Sequence, residues 1–453
     1  MPLSLHKELV QKYRKNCGIG PESYQKYDVK RGLRNLDGTG VKTILTEISD
    51  VTGYEKNEEG EVVPVEGKLR YRGIKAKDLV NGFLEEGRHG FEETAFLLMI
   101  GEQPSKEFLD KFSESLGNKR DLSREFVQHI ILPFPSKDIM NKLQTAVTVF
   151  YRTDDNPEDI SRANVLRQCI NLIAKLPTVV AYSYAAKQYQ YDSKSLFIHN
   201  PRTDLTTAEN FLYLLREDKQ FTELEAQILD MMLVLHADHS GGNNSTFTTH
   251  LVSSSHTDTY SAIAAALASL KGPLHGGANL KCARMMDQIK KDVKNYDQDE
   301  KVLDYLKKIV TGEAGDGSGK IWGMGHAVYT LSDPRAVLLK AKARELAEQK
   351  DCMEEFNLYQ RVEKLTSKAL AEVKGIDEDE IIISPNVDFY SALVFEMMEF
   401  PRDIFPAMFA MSRIAGWSAH RIEQLECGQK LIRPASVYAG QENREFKPLS
   451  ERS

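Results

Sequence analysis

The sequence predicts a mainly helical fold in which a smaller helical domain is inserted into a larger one. Three observations predict it. Capped runs with apolar residues at helical spacing dominate, while segments with strand character are few. An alanine-rich run over 260–270 carries the small side chains that let helices pack closely in a core. Charge density also changes along the chain. Segments 287–308 and 340–364 are markedly more charged than what precedes them, as a solvated domain bracketed by His275 and Phe389 would be.

The elements follow in order. Residues 1–15 mix Lys, Glu and Gln with isolated leucines, which reads as a surface helix without a signal-peptide core. Segments 42–51 and 67–73 have the β-branched content and partial alternation of short strands, with 57–60 in the connecting turn. Thr222-Glu223-Leu224-Glu225 is a capping box. Behind it Leu224, Ile228, Met231, Met232 and Leu235 keep a helical stripe. That helix runs toward His236-Ala237-Asp238-His239-Ser240-Gly241-Gly242, whose glycines should stop it. Asp258 can cap the alanine-rich helix, which ends at Gly272-Pro273, so His275 emerges just beyond it. The apolar helices after Arg402 return to the larger body.

A chain of 453 residues can bury a large core, and 41% apolar with 28% charged residues fits a folded protein. A net charge of −7 argues against nonspecific nucleic-acid binding. Cysteines 17, 169, 282, 352 and 427 form no CxxC and are odd in number. That favours a reduced compartment and gives no cysteine metal site. No apolar run approaches the roughly 18 residues of a membrane span. There is no Walker loop and no GxGxxG after a strand, Gly38-Thr39-Gly40 is too short to hold a nucleotide, and Ser253-Ser254-Ser255 lacks the GxSxG elbow.

The chemistry concentrates in three segments. Gly272-Pro273-Leu274-His275-Gly276-Gly277-Ala278-Asn279 sets a histidine at the start of a helix-like run. The helix dipole should lower its pKa, leaving a neutral imidazole that donates to a developing oxyanion. Gly323-Met324-Gly325-His326-Ala327-Val328-Tyr329 supplies a second histidine behind glycines that let backbone approach a ligand. Asn386-Val387-Asp388-Phe389-Tyr390 supplies a carboxylate beside aromatics. Two neutral imidazoles and one carboxylate suit proton abstraction next to a carbonyl. His236 and His239 stand at a spacing open to a metal pair, but no third ligand is near and HExxH is absent. A polar cluster aimed at an anion, with no metal, is the better reading. Arg335, Arg433 and Arg413, the last out of pattern on the apolar helix 405–417, could together clamp two carboxylates.

These segments, with Asp333-Pro334-Arg335 and His236-Ala237-Asp238-His239, together resemble the citrate synthase family from Arg31-Gly32-Leu33-Arg34 to Tyr438-Ala439-Gly440. The resemblance implies an all-α two-domain fold with a few short N-terminal β segments. The large domain would comprise 1–279 and 393–453, and the small one 280–392. It implies that Asp388 removes a proton from the acetyl methyl of acetyl-CoA, that His275 hydrogen-bonds the thioester oxygen, and that His326 polarises the oxaloacetate ketone. His239, Arg335 and Arg413 match oxaloacetate ligands, with His236 beside them. Arg433 matches an arginine contributed across a homodimer. Leu274, Gly323, Met324, Gly325 and Asn386 fall in the CoA-holding loops. The implied protein is cytoplasmic and needs no cofactor, no metal, no nucleic acid and no membrane. 2-Methylcitrate synthase, which uses propionyl-CoA, and an inactive binding paralogue are the alternatives. One departure stands out: Thr330 occupies a position where many members carry a basic residue able to reach a CoA phosphate, and Lys320 is the substitute this sequence offers.

Overall fold

The computed structural model describes residues 3–16, 18–35, 39–427, 430–440 and 443–451. Met1, Pro2, Cys17 and Gly38 lie outside the described residues. The chain forms two compact units, Met1–Leu45 with Ile432–Ser453, and Thr46–Leu431. The terminal unit holds α1 (Leu3–Asn16) and α2 (Pro21–Lys26), followed by extended chain. Along α1 the described side chains are exposed, as expected of a surface helix.

The main unit begins with a three-stranded antiparallel sheet: β1 (Ser49–Lys56), β2 (Val62–Tyr71) and β3 (Ile74–Lys75). Both strands begin or extend elsewhere than the sequence suggests. β1 starts seven residues later than 42 because β2 offers no partner beyond Ser49↔Tyr71. Residues 46–47 turn instead to a distant helix, where the Glu47 amide donates to Glu423 Oε1 at 2.7 Å. The turn at 57–60 forms as expected, with Asn57 Oδ1 accepting the Glu59 and Glu61 amides.

Helices follow: α3 (Ala76–Glu85), α4 (Phe91–Ile100), α5 (Lys106–Lys119), the single turn α6 (Arg124–Phe126), α7 (Ile139–Thr153), α8 (Arg162–Tyr191), α9 (Thr207–Leu215), α10 (Glu223–His236), α11 (Asn244–Ser253) and α12 (Thr259–Lys271). Then come α13 (Ala278–Asp292), α14 (Asp299–Thr311), α15 (Pro334–Gln349), α16 (Met353–Lys374), α17 (Val387–Met397) and α18 (Phe405–Glu426). Local chemistry sets many of the starts. Thr222 and Glu225 form the expected capping box on α10, and Asp258 accepts the Ser261 amide to cap α12. α8 differs from the sequence reading: it is long and apolar enough to cross a membrane, but 72% of its most apolar window is buried in the protein.

α18 runs through the core. Nearly every side chain from Phe405 to Arg421 is buried, and α18 packs against α4, α8, α10, α11 and α12. It also explains why α10 stops at His236 rather than at Gly241. Arg413 Nε donates to the His236 carbonyl at 2.8 Å, and the Gly416 amide donates to the Ala237 carbonyl at 3.0 Å. The Ser240 amide, which would have continued α10, goes to Ser49 Oγ and Asp238 Oδ2 instead. Only glycine fits at 416, since a Cβ there would lie 2.3 Å from Asp238 Oδ1.

Candidate active site

Three element starts converge. α17 opens with Asn386, whose Oδ1 accepts the Asp388 amide at 2.9 Å, so Asp388 sits in the first helical turn. The segment carrying His326 is strapped to this start. Asn386 Nδ2 donates to the Gly325 carbonyl at 2.8 Å, the Asn386 amide donates to the Gly323 carbonyl, and Met324 bridges Pro385. Gly323 holds φ at 87°, and a Cβ there would lie 2.7 Å from Phe389. α15 opens with Asp333 and Pro334. Asp333 caps it, binds Arg335 through Nε at 3.0 Å and Nη2 at 2.7 Å, and accepts the Val387 amide at 3.2 Å. From the other side, Asn279 Nδ2 reaches the Asp388 carbonyl and Ser391, which ties the start of α13, just past His275, to α17.

His326 is fixed in one tautomer. Its Nδ1 accepts the Val328 and Tyr329 amides at 3.0 and 3.2 Å, so the ring proton is on Nε2 and is free to be donated. Burial, aided by Arg335, pushes its pKa down to about 4. His275 is also pushed down to about 4, by burial first and then by Arg413. The neutral imidazole expected from the sequence is therefore found, with desolvation as its main cause in place of the helix dipole. His275 lies in the Gly272–Gly277 turn, before α13 begins at Ala278. Its Nε2 is 3.0 Å from Ser245 Oγ, which also accepts from Trp417 Nε1 at 3.2 Å. If the serine hydroxyl donates to Nε2, the His275 ring proton is on Nδ1. Burial raises Asp388 to about 6, with Arg335 and Arg413 opposing the rise.

On the opposite wall, His239 stacks edge-on to His326 at 5.3 Å and to Tyr329 at 5.6 Å. Burial holds both His236 and His239 well below the ordinary histidine range. The Nε2 atoms of both, and Arg413 Nη1, are buried without a hydrogen-bond partner. Arg335 is buried too, but neutralised by Asp333. Arg413 has no salt bridge among the described residues. A guanidinium so placed is costly unless an anion arrives.

Four groups were not singled out from the sequence. Asp333 is readable as an N-cap before Pro, though its grip on Arg335 is not. Ser245 gave no signal. Asp238 and His420 form a fully buried pair at 3.2 Å, extended by His420 Nδ1 to His250 Nε2 at 3.0 Å and by His250 Nδ1 to Gln424 at 2.8 Å. The Asp238 carboxylate pushes His420 up to about 9, and His420 in turn pulls Asp238 down to about 2, each against the opposing effect of burial. His250, His420 and Glu423 are the group among the described residues whose donor atoms lie within 4.8 Å of one another; His236 and His239 do not belong to it. Leu274 is 91% exposed in its turn, beside His275. Arg433 lies in the terminal unit, exposed and in extended chain.

Comparison with known proteins agrees with this geometry. The family model described as "Citrate synthase, C-terminal domain" matches residues 35–435. A citrate synthase from Haloferax volcanii is 36% identical, over 94% of this chain and 99% of its own length. One from Synechocystis sp. is 34% identical, over 91% and 92%. A 2-methylcitrate synthase 1 from Corynebacterium glutamicum is 32% identical, over 90% and 97%. Among solved structures, the ternary complex of carboxymethyl coenzyme A and oxaloacetate with the Thermoplasma acidophilum citrate synthase superposes with a TM-score of 0.75 at 26% identity. It covers 94% of this chain and 99% of that one.

Proposed function

We infer that the chain is a working citrate synthase: it belongs to the citrate synthase family, and it condenses acetyl-CoA with oxaloacetate and hydrolyses citryl-CoA to citrate and CoA. The observation that carries the mechanism is one carboxylate raised to about 6 beside two imidazoles lowered to about 4. Asp388 takes a proton from the acetyl methyl. His275 donates to the thioester oxygen as the C–H bond breaks and the enol forms. His326 donates Nε2–H to the oxaloacetate ketone while the new carbon–carbon bond forms, and water then cleaves the thioester. A positioned base contributes about 10²–10⁴ in rate, and each oxyanion donor roughly 3–4 kcal/mol. Arg413, Arg335 and His239 receive the oxaloacetate carboxylates, with His236 beside them.

Leu274, Gly323, Met324, Gly325 and Asn386 border the CoA path in this reading. Residues 280–392 act as a small domain that closes on the rest, because His326, Arg335 and Asp388 come from it and Arg413 does not. The active form is a cytoplasmic homodimer in which Arg433 completes the partner's site, and neither metal nor cofactor takes part. The test is release of free thiol from acetyl-CoA after exhaustive chelation. It should depend strictly on oxaloacetate; activity lost to chelation and restored by zinc would overturn the metal-free mechanism. Since a single methylene is worth only about 1–3 kcal/mol in a pocket, kcat/KM with acetyl-CoA against propionyl-CoA decides between citrate and 2-methylcitrate synthesis. An intact, electrostatically tuned His275, His326 and Asp388 set speaks against an inactive paralogue.

A further inference from the structure

Beside His326 lies a cavity of about 460 Å³ that no side chain named so far fills. Its lining runs from His326 and Asn386, at the reacting end, past Met324 to Trp322 and Lys320. Two cations converge on the Trp322 indole. Lys281, from the first turns of α13, places Nζ 3.9 Å from the ring centroid, and Lys320 places its Nζ 5.3 Å away. Each contact is a cation–π attraction, but two ammonium groups on one ring repel each other. Neither forms a salt bridge among the described residues. Asp316 does not neutralise them directly: it is bound to Trp322 Nε1 at 2.9 Å and to the Ser318 hydroxyl and amide, and feels Lys281 only as the weakest of the influences that lower its pKa. The bonds from Asp316 fix the indole, and the indole gathers the lysines. Thr330, four residues past His326, adds no charge.

A thioester that reaches Asp388 with its acyl end must trail its nucleotide handle out of the cleft. The handle of CoA carries a diphosphate and a 3′-phosphate. A pair of unneutralised ammonium groups at the outer end of this cavity meets that chemistry. We propose that Lys281 and Lys320, gathered on Trp322, bind the phosphate groups of the CoA handle and so select the nucleotide-bearing thioester. This inference rests on the acetyl-CoA reading above and deepens it.

The experiment compares acetyl-CoA with acetyl-pantetheine, which lacks the phosphates, in the full-length enzyme. In the Lys281→Ala/Lys320→Ala variant, KM for acetyl-CoA should rise by about tenfold or more, the weight of a charge-assisted hydrogen bond. The preference for acetyl-CoA over acetyl-pantetheine should fall by the same factor. Lys281→Arg/Lys320→Arg should restore it. Inhibition by adenosine 3′,5′-bisphosphate, competitive with acetyl-CoA, should weaken in the alanine variant. An unchanged acetyl-CoA KM, or equal losses with both thioesters, would overturn the assignment. A wild-type enzyme that releases no thiol in the presence of oxaloacetate would sink the underlying function instead, so the two failures are distinct.

Discussion

Replacing Asp388 with asparagine should make the protein more stable and almost inactive, and both effects can be sized. Burial raises the Asp388 carboxyl from 3.8 to about 6. A shift of roughly two units corresponds to about 3 kcal/mol. The sign follows from proton binding. Between about pH 4 and 6 the folded protein binds a proton that the unfolded chain has released, so stability falls as pH rises through this window. Above about 6 the folded state carries the whole cost of an ionised, desolvated carboxylate. Asparagine removes that cost while keeping the shape. Asp388→Asn should therefore be more stable at pH 7.5 by up to about 3 kcal/mol, with the gain shrinking toward pH 4.

Urea unfolding of both proteins across pH 5–8 measures the stability effect. The activity arm uses the same pair. In the wild type, kcat/KM should fall on the acid side with a midpoint near 6, set by Asp388, because His275 and His326 are held near 4. In the variant kcat should drop by about 10²–10⁴ while oxaloacetate affinity, held by the arginines, stays close to wild type. A stability difference that does not vary with pH, or an acid limb near 4, would refute the assignment of Asp388 as the base.

Three further outcomes are expected. Arg413→Ala and Arg433→Ala should each be nearly inactive, whereas co-refolding them should recover up to half the activity per mixed dimer; no recovery would place Arg433 in its own chain's site. The Asp238–His420 pair should contribute stability that is full below the ordinary histidine pKa and is lost as pH rises through about 9, roughly 3 kcal/mol by the size of the shift. His420→Gln should abolish that pH dependence of the urea midpoint, and parallel curves for the two proteins would count against a charged His420. Ser245→Ala should lower kcat by about tenfold through loss of one hydrogen bond to His275, and a larger effect on oxaloacetate KM than on kcat would contradict its place on the thioester side.

What could be read from the sequence was local. The α10 capping box and the Asp258 cap on α12 depend on residues three apart, and both form as expected. The end of α10 was misjudged because its last carbonyls are taken by Arg413 and Gly416, about 180 residues away. β1 was placed too early for the same kind of reason: strand character says nothing about where the partner strand ends. Arg413 was visible because a cation broke the apolar pattern of its helix. His420 stands on that same helix and breaks the pattern equally, but its role depends on Asp238 and His250, which only the fold brings together. The His275 pKa came out in the expected direction from the wrong cause, since burial cannot be read from a glycine-flanked motif.

The charges of the cleft, taken pair by pair, show what it lacks. Asp333 neutralises Arg335, and His420 neutralises Asp238. His236, His239, His275 and His326 are all held neutral by burial. That leaves Arg413 as the cation without a salt-bridge partner among the described residues lining this cleft, and burial has already lowered its pKa. Such a site is expensive to keep empty and favourable to fill. Oxaloacetate brings two carboxylates, and one free guanidinium with a shared Arg335 cannot match both in a desolvated cleft. The shortfall is one positive charge. A second arginine supplied across a homodimer closes it, and would make substrate binding and subunit assembly parts of one electrostatic balance.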